Sequence, residues 1–147
     1  MPQVHTKYFG FLEYMPDNLY DFPAGIPGFE ENKQFLFIDQ PVTKPLVYMQ
    51  SLTDPGLCFV ALPILCVDPE YRLHIGPEDL KLLRCAADRQ PRIGDEVLCL
   101  ALLSLAEQQP PTVNMLAPVV VNLKTRTGLQ AIQIDTEYSH KQEVPCS

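Results

Sequence analysis

The stretch Pro45-Leu46-Val47-Tyr48-Met49-Gln50-Ser51-Leu52, then Thr53-Asp54-Pro55-Gly56, then Leu57-Cys58-Phe59-Val60-Ala61-Leu62 decides how this chain is read. Two apolar runs of strand length flank a turn signal. Asp, Pro and Gly favour reversal for different reasons: Asp bonds its own backbone, Pro presets φ, and Gly tolerates positive φ. The three pieces predict an antiparallel hairpin. Upstream, Gln34 to Asp39 carries Phe35-Leu36-Phe37-Ile38 and reads as a strand before the turn Gln40 to Lys44. Leu19 to Phe22 reads as a shorter strand, followed by the turn-dense loop Pro23 to Phe29. Val4 to Tyr14, rich in aromatic and β-branched residues, reads as a long strand bent or bulged at Gly10, or as a tight hairpin. Downstream, Ile64 to Val67 continues or starts a strand after Pro63.

One segment reads as a helix. Gly76-Pro77 opens it, with Pro at the first helical position. Glu78 and Asp79 in the first turn and Lys81 and Arg84 near the last complement the helix dipole, and the helix ends near Cys85. Val97 to Leu105 has no alternation and is tightly bounded by turn residues, so it predicts a strand buried on both faces. Thr112 to Lys124 is extended and broken at Ala117-Pro118; Thr125 to Gly128 is a hairpin turn; Leu129, Ala131, Ile132 and Ile134 form the last strand. The chain from Thr136 is polar and reads as a mobile tail. The fold expected is mostly β: one small antiparallel β-barrel-like domain of short strands with one short helix, over residues 1–135, and a polar C-terminal tail over 136–147.

Composition supports one domain. The chain has 147 residues, enough to bury a core without staples. Its 15 prolines are about 10% of residues, twice the average of about 5%, and argue against long helices. Eleven basic against 18 acidic side chains give a net charge of −7, with a pI of about 4.8. No basic stripe for nucleic acid is present, and anionic membrane surface is disfavoured. A basic protein partner is favoured. No basic start followed by an apolar stretch marks a leader, and the longest apolar run, Val97 to Ala106, is about half of what a spanning helix needs. The cysteines Cys58, Cys66, Cys85, Cys99 and Cys146 show no CxxC spacing. They read as small buried hydrophobes in a reducing cytoplasm.

Motifs for chemistry are missing. Gly25-Ile26-Pro27-Gly28 lacks the Lys-Ser/Thr and spacing of a phosphate loop. His5, His74 and His140 lie far apart without metal-ligand spacing. Glu30-Glu31, Glu78-Asp79 and Asp95-Glu96 are adjacent pairs whose side chains diverge. No serine sits in a nucleophile elbow. No catalytic residue, cofactor site or metal site is assigned. What remains is a surface: Tyr8, Phe9, Phe11, Tyr14, Tyr20, Phe22 and Phe29 crowd the N-terminal part. Those that face out in a negative field would make a protein-binding patch.

Four pieces of sequence together resemble a known family. They are Thr6-Lys7-Tyr8 with Gly10; Phe22-Pro23-Ala24-Gly25-Ile26-Pro27-Gly28-Phe29; Asn114 to Asn122 (NMLAPVVVN) followed by Gly128 and Gln130; and Asp135-Thr136-Glu137-Tyr138. In this order the chain resembles FliW, the bacterial flagellar assembly factor, over about residues 4 to 142. The resemblance implies a small β-barrel-like fold, no enzyme activity, no cofactor and a cytoplasmic place. It implies two protein partners, flagellin and the translational repressor CsrA. When flagellin is exported, the freed factor binds CsrA and relieves repression of flagellin synthesis. The acidic balance suits an RNA-binding repressor, which presents basic surface. The motif glycines would serve a tight corner at Pro27 that carries Phe29 back to the core, and Asn114 and Asn122 would bond backbone as Asx turns. The candidate partner-binding residues are Tyr8, Phe22, Ile26 and Phe29 around the aromatic corner, and Asp135, Tyr138 and Glu143 in the tail. An alternative from another class is a small β-barrel enzyme or ligand-binding protein whose site is assembled in space, with a deep polar pocket holding histidine or cysteine. A third is a structural subunit that self-assembles.

Overall fold

The structure is a computed structural model and describes residues 2–134 and 136–144. Its strands are β1 (Gln3–Thr6), β2 (Gly10–Glu13), β3 (Leu19–Asp21), β4 (Gln34–Asp39), β5 (Val47–Ser51), β6 (Cys58–Pro63), β7 (Val97–Ser104), β8 (Thr112–Val113), β9 (Val119–Asn122), β10 (Thr127–Gln130) and β11 (Gln142–Glu143). Helices α1 (Ile64–Val67) and α2 (Pro77–Leu82) are short. The expected hairpin is β5–β6, paired from Val47↔Ala61 to Gln50↔Cys58.

Seven strands close into a barrel in the order β7-β6-β5-β4-β3-β10-β9, with β9 returning to β7. Antiparallel neighbours must alternate in direction, and an odd ring cannot alternate all the way round. One parallel contact is therefore obligatory. It falls between β3 and β10, at Thr127↔Asp21, where the Asp21 N–H donates to the Arg126 carbonyl at 2.9 Å.

The barrel interior is filled. Phe35, Met49, Ala61, Leu100 and Val119 come from five successive ring strands, and Phe22 and Ile26 enter from beyond β3. At the seam β10 contributes Gly128. A Cβ there would lie 2.7 Å from the Phe22 ring and 3.0 Å from Val121, so the absent side chain is the space the ring occupies. A second apolar layer lies outside β7, β9 and β10. Ile64, Tyr71, Ile75, Leu80 and Leu83 cover Val97, Cys99, Ala101, Val120 and Leu129. Strands β7 and β9 lie between the two layers, which explains their unbroken apolar sequence.

Two elements differ from expectation, and a third takes one of the two forms left open. Ile64 to Val67 is helical, because the chain turns off β6 to carry Ile64 into the outer layer, so the fold has two short helices rather than one. The N-terminal stretch takes the hairpin alternative: β1 and β2 pair from Gln3↔Glu13 to Thr6↔Gly10. Gly10 has φ +68°, and Thr6 Oγ1 accepts from the Phe9 N–H at 2.9 Å while donating to the Gly10 carbonyl at 2.8 Å. The segment after residue 135 is not free of the fold. Tyr138 stacks on Tyr71 with centroids 4.2 Å apart, and β11 pairs with β8. One aromatic ring in a polar stretch anchors it.

Gly128→Ala is expected to destabilise the fold by about 1–3 kcal/mol, the usual range for overpacking a filled interior. Urea unfolding followed by circular dichroism measures it; an unchanged midpoint would contradict this packing of Phe22.

Candidate interaction surface

The aromatic corner after β3 is built from glycine geometry. Phe29 N–H donates to the Ile26 carbonyl at 2.7 Å across Pro27-Gly28, and Gly28 has φ +89°. That is the sequence and geometry of a type II turn. Gly25 has φ +70°, and a Cβ on it would meet the Glu30 backbone at 2.6 Å. The corner therefore tolerates no side chain at Gly25.

The corner sorts the candidate residues. Phe22 and Ile26 are 0% and 2% exposed, so they are core residues and do not present surface to a partner. Phe29 is 42% exposed; instead of returning to the core it lies edge-on against Phe59 with centroids 5.2 Å apart. Tyr8 is 60% exposed, with the Lys7 ammonium 5.5 Å from its ring centroid. It lines a groove of about 390 Å³ with Phe9, Tyr48, Cys58 and Val60. Tyr138 is half-buried: its hydroxyl accepts the Arg72 N–H at 2.8 Å. Glu143 is exposed on β11, opposite Thr112. Asp135 lies outside the described residues. The structure thus brings Phe22, Ile26 and Phe29 together at one corner and holds Tyr8 on the β1–β2 hairpin.

Other exposed apolar groups stand outside the candidate set, Phe11 having been named among the N-terminal aromatics and Ile132 and Ile134 read as strand residues. Phe11 stands out from β2 and stacks on His5 at 4.7 Å. Ile132 and Ile134 face solvent while Gln133 between them is buried, its amide clasping the backbone of His74 at 2.8 and 3.0 Å. The available signal was the alternation itself, with the polar residue on the inner face.

The remaining motif residues act in the fold. Asn114 Oδ1 accepts from the Leu116 and Ala117 amides at 3.1 and 2.9 Å. Asn122 Oδ1 accepts from the Lys124 and Thr125 amides, and its Nδ2 donates to the Leu83 carbonyl at 2.8 Å, closing the end of α2. Both are the expected Asx turns. Gln130 Nε2 donates to the Ala117 carbonyl at 2.8 Å.

Burial holds three of the thiols protonated. Burial pushes the Cys58 thiol up to about 11 and the Cys99 thiol up to about 12. Cys85 is raised by burial and then by Glu96, against the opposing pull of Arg89 and Asn122. It sits at a polar hollow of about 250 Å³ with Arg84, Asp95, Glu96 and Lys124. Such thiols stay protonated at neutral pH. Cys66, expected to be buried, is exposed on α1, and Cys146 lies outside the described residues. Among the described residues no three of His, Cys, Asp and Glu gather as a metal site.

The fold and surface together define a small β-barrel filled by its own side chains, with aromatic residues displayed around its exterior. The chain belongs to the FliW family: the family model described as FliW protein matches residues 3–144. It is 32% identical over 143 residues to the flagellar assembly factor FliW of Syntrophomonas wolfei, covering 97% of this chain and 88% of that protein. It is 30% identical over 142 residues to the flagellar assembly factor FliW of Bacillus subtilis, covering 96% of this chain and 95% of that one. A crystal structure of the flagellar assembly factor FliW superposes with a TM-score of 0.84 at 30% identity, over 99% of this chain and 98% of that one.

One ion pair gives a pH dependence. Arg89 grips Glu96 through two bonds of 2.7 and 2.6 Å. This pairing, with the Arg92 N–H bond, holds the Glu96 carboxyl down at about 2 from an ordinary 4.5. A depressed carboxyl stabilises the fold above its unfolded value and loses that contribution as pH falls through its folded value. Glu96→Gln should therefore be less stable than the parent at pH 6, and the gap should shrink between about pH 4.5 and about pH 2. Thermal unfolding across that range measures it; a constant gap would refute the assignment.

Proposed function

We propose that this chain acts in flagellar assembly as a non-catalytic switch between two protein partners in the cytoplasm. It binds flagellin. When free of flagellin it binds and antagonises the translational repressor CsrA, so relieving repression of flagellin synthesis. The observation that carries this reading is family membership across residues 3–144. The acidic balance of −7 supports it, since a repressor of translation must offer basic surface to RNA. An acidic protein docked beside that surface also repels the RNA phosphates. Direct contact with nucleic acid or membrane has no part in the reading; among the described residues no helix is long and apolar enough to cross a membrane. The contacts proposed are Tyr8 and Phe29, whose rings are accessible, together with Asp135, Tyr138 and Glu143 at the C-terminal end. Phe22 and Ile26 support the corner from below.

Calorimetry with flagellin, with CsrA, and with each in competition tests the proposal. Tight and mutually exclusive binding is expected. Tyr8→Ala and Phe29→Ala should each weaken one of the two complexes by about 1 kcal/mol or more without changing stability much. Phe22→Ala should instead cost about 3–5 kcal/mol of stability as a core truncation. Silence in both titrations, with folded protein, would refute the switch.

A further inference from the structure

Strand β4 runs on past the strand beside it. β3 pairs with β4 at Asp21↔Gln34, Tyr20↔Phe35 and Leu19↔Leu36. Phe37, Ile38 and Asp39 continue opposite β5, which pairs with them at Met49, Tyr48 and Val47. The chain leaves the line of β3 in a single 3₁₀ turn, Pro16–Asn18, where the Asn18 N–H donates to the Met15 carbonyl at 2.9 Å. Backbone direction alternates along β4. The Lys33 carbonyl accepts from Phe22 on the β3 side, and the Gln34 carbonyl accepts from Leu52 on the β5 side. Odd-numbered residues therefore turn their peptide groups toward β3. The Phe37 carbonyl and both peptide groups of Asp39 point into the vacated line.

That line opens on a groove of about 260 Å³, lined by Leu12 to Met15, Asn18 and Leu36 to Asp39. Its apolar walls include Leu12, the exposed Met15 and the half-buried Ile38. Its charged lining residues are Glu13 and Asp39, both exposed; no Lys, Arg or His is among the lining residues, and Glu13 Oε1 accepts from Gln3 Nε2 at 3.2 Å. An open strand end, apolar walls and a lining whose only charges are carboxylates together describe one kind of occupant.

We propose that this overhang docks an extended segment of a protein partner, in which apolar residues alternate with Lys or Arg, added to β4 in the line of β3. Main-chain bonds to Phe37 and Asp39 would supply the ladder, and alternate side chains would enter the apolar walls. Glu13 and Asp39 select for positive charge. A second copy of this chain is disfavoured, because two molecules of charge −7 repel. The proposal concerns peptide chemistry and stands apart from the identity of the partners named above.

The test is an amide NMR titration of the full chain with two capped peptides, one alternating Lys and Val and one alternating Glu and Val. The Lys-Val peptide is expected to shift the amides of Leu12 to Met15 and Phe37 to Asp39 saturably and to slow hydrogen exchange at Asp39. The Glu-Val peptide should shift neither group. Reversing both charges, Glu13→Lys with Asp39→Lys, should weaken the Lys-Val peptide by about tenfold or more, as should raising salt to about 1 M. Both positions are exposed, so the variant should fold, and Glu13→Gln with Asp39→Asn gives a milder check. Shifts centred elsewhere, equal response to both peptides, no response, or self-association at this groove without peptide would each overturn the proposal.

Discussion

Everything in this fold depends on one contact, the Phe22 ring lying where a side chain at position 128 would be. Six of the seven seams between neighbouring barrel strands are antiparallel, each with three to five paired positions. The seam between β3 and β10 has a single paired position. A seam that short supplies little ladder, so closure falls to packing. Phe22 fills the interior at that point, with Phe35 edge-on at 5.3 Å and Gly128 beneath it. The loop that follows must then turn at once, and Gly25 and Gly28 let it. The sequence Phe22 to Phe29 is thus one device: a ring to seal the seam and a corner to bring the chain back to β4.

The outer layer solves a different problem. Residues between α1 and β7 cross the outside of the barrel largely without strand partners, yet their backbone must be satisfied. Glutamine side chains take the place of strands. Gln133 clasps His74, and Gln90 clasps Ile75 through bonds of 2.7 and 2.9 Å. Each amide accepts from the N–H and donates to the carbonyl of one residue, as a neighbouring strand would. Asn122 donates to the Leu83 carbonyl at the end of α2.

Much of this was legible from residues. The β5–β6 hairpin showed because Asp54-Pro55-Gly56 separates two apolar runs, and β7 showed because burial between two layers erases alternation. α2 showed through Pro77 and its charge order. Ile64 to Val67 was not legible, since four apolar residues carry no period and only the outer layer decides that they coil. The candidate surface was half legible. Aromatic content marked the region, but ring type does not say which way a ring faces. Phe22 and Phe29 lie in one motif, and only the seam, which is a long-range contact, puts the first inside and leaves the second partly out. Ile132 and Ile134 misled for the converse reason: Gln133 is inside because a distant backbone needs its amide.

The parity of the ring has a consequence for how such a fold can come about. A barrel with an even number of antiparallel strands can be assembled by copying a hairpin, and its parts are interchangeable by rotation. Seven strands cannot be divided that way. The chain accordingly shows no internal repeat, and the barrel has a marked meridian where two neighbours run in the same direction. Every other position around the circumference is addressed by its distance from that line. An odd ring is a dial with a built-in zero, so each face of the small cylinder has its own fixed distance from the parallel seam.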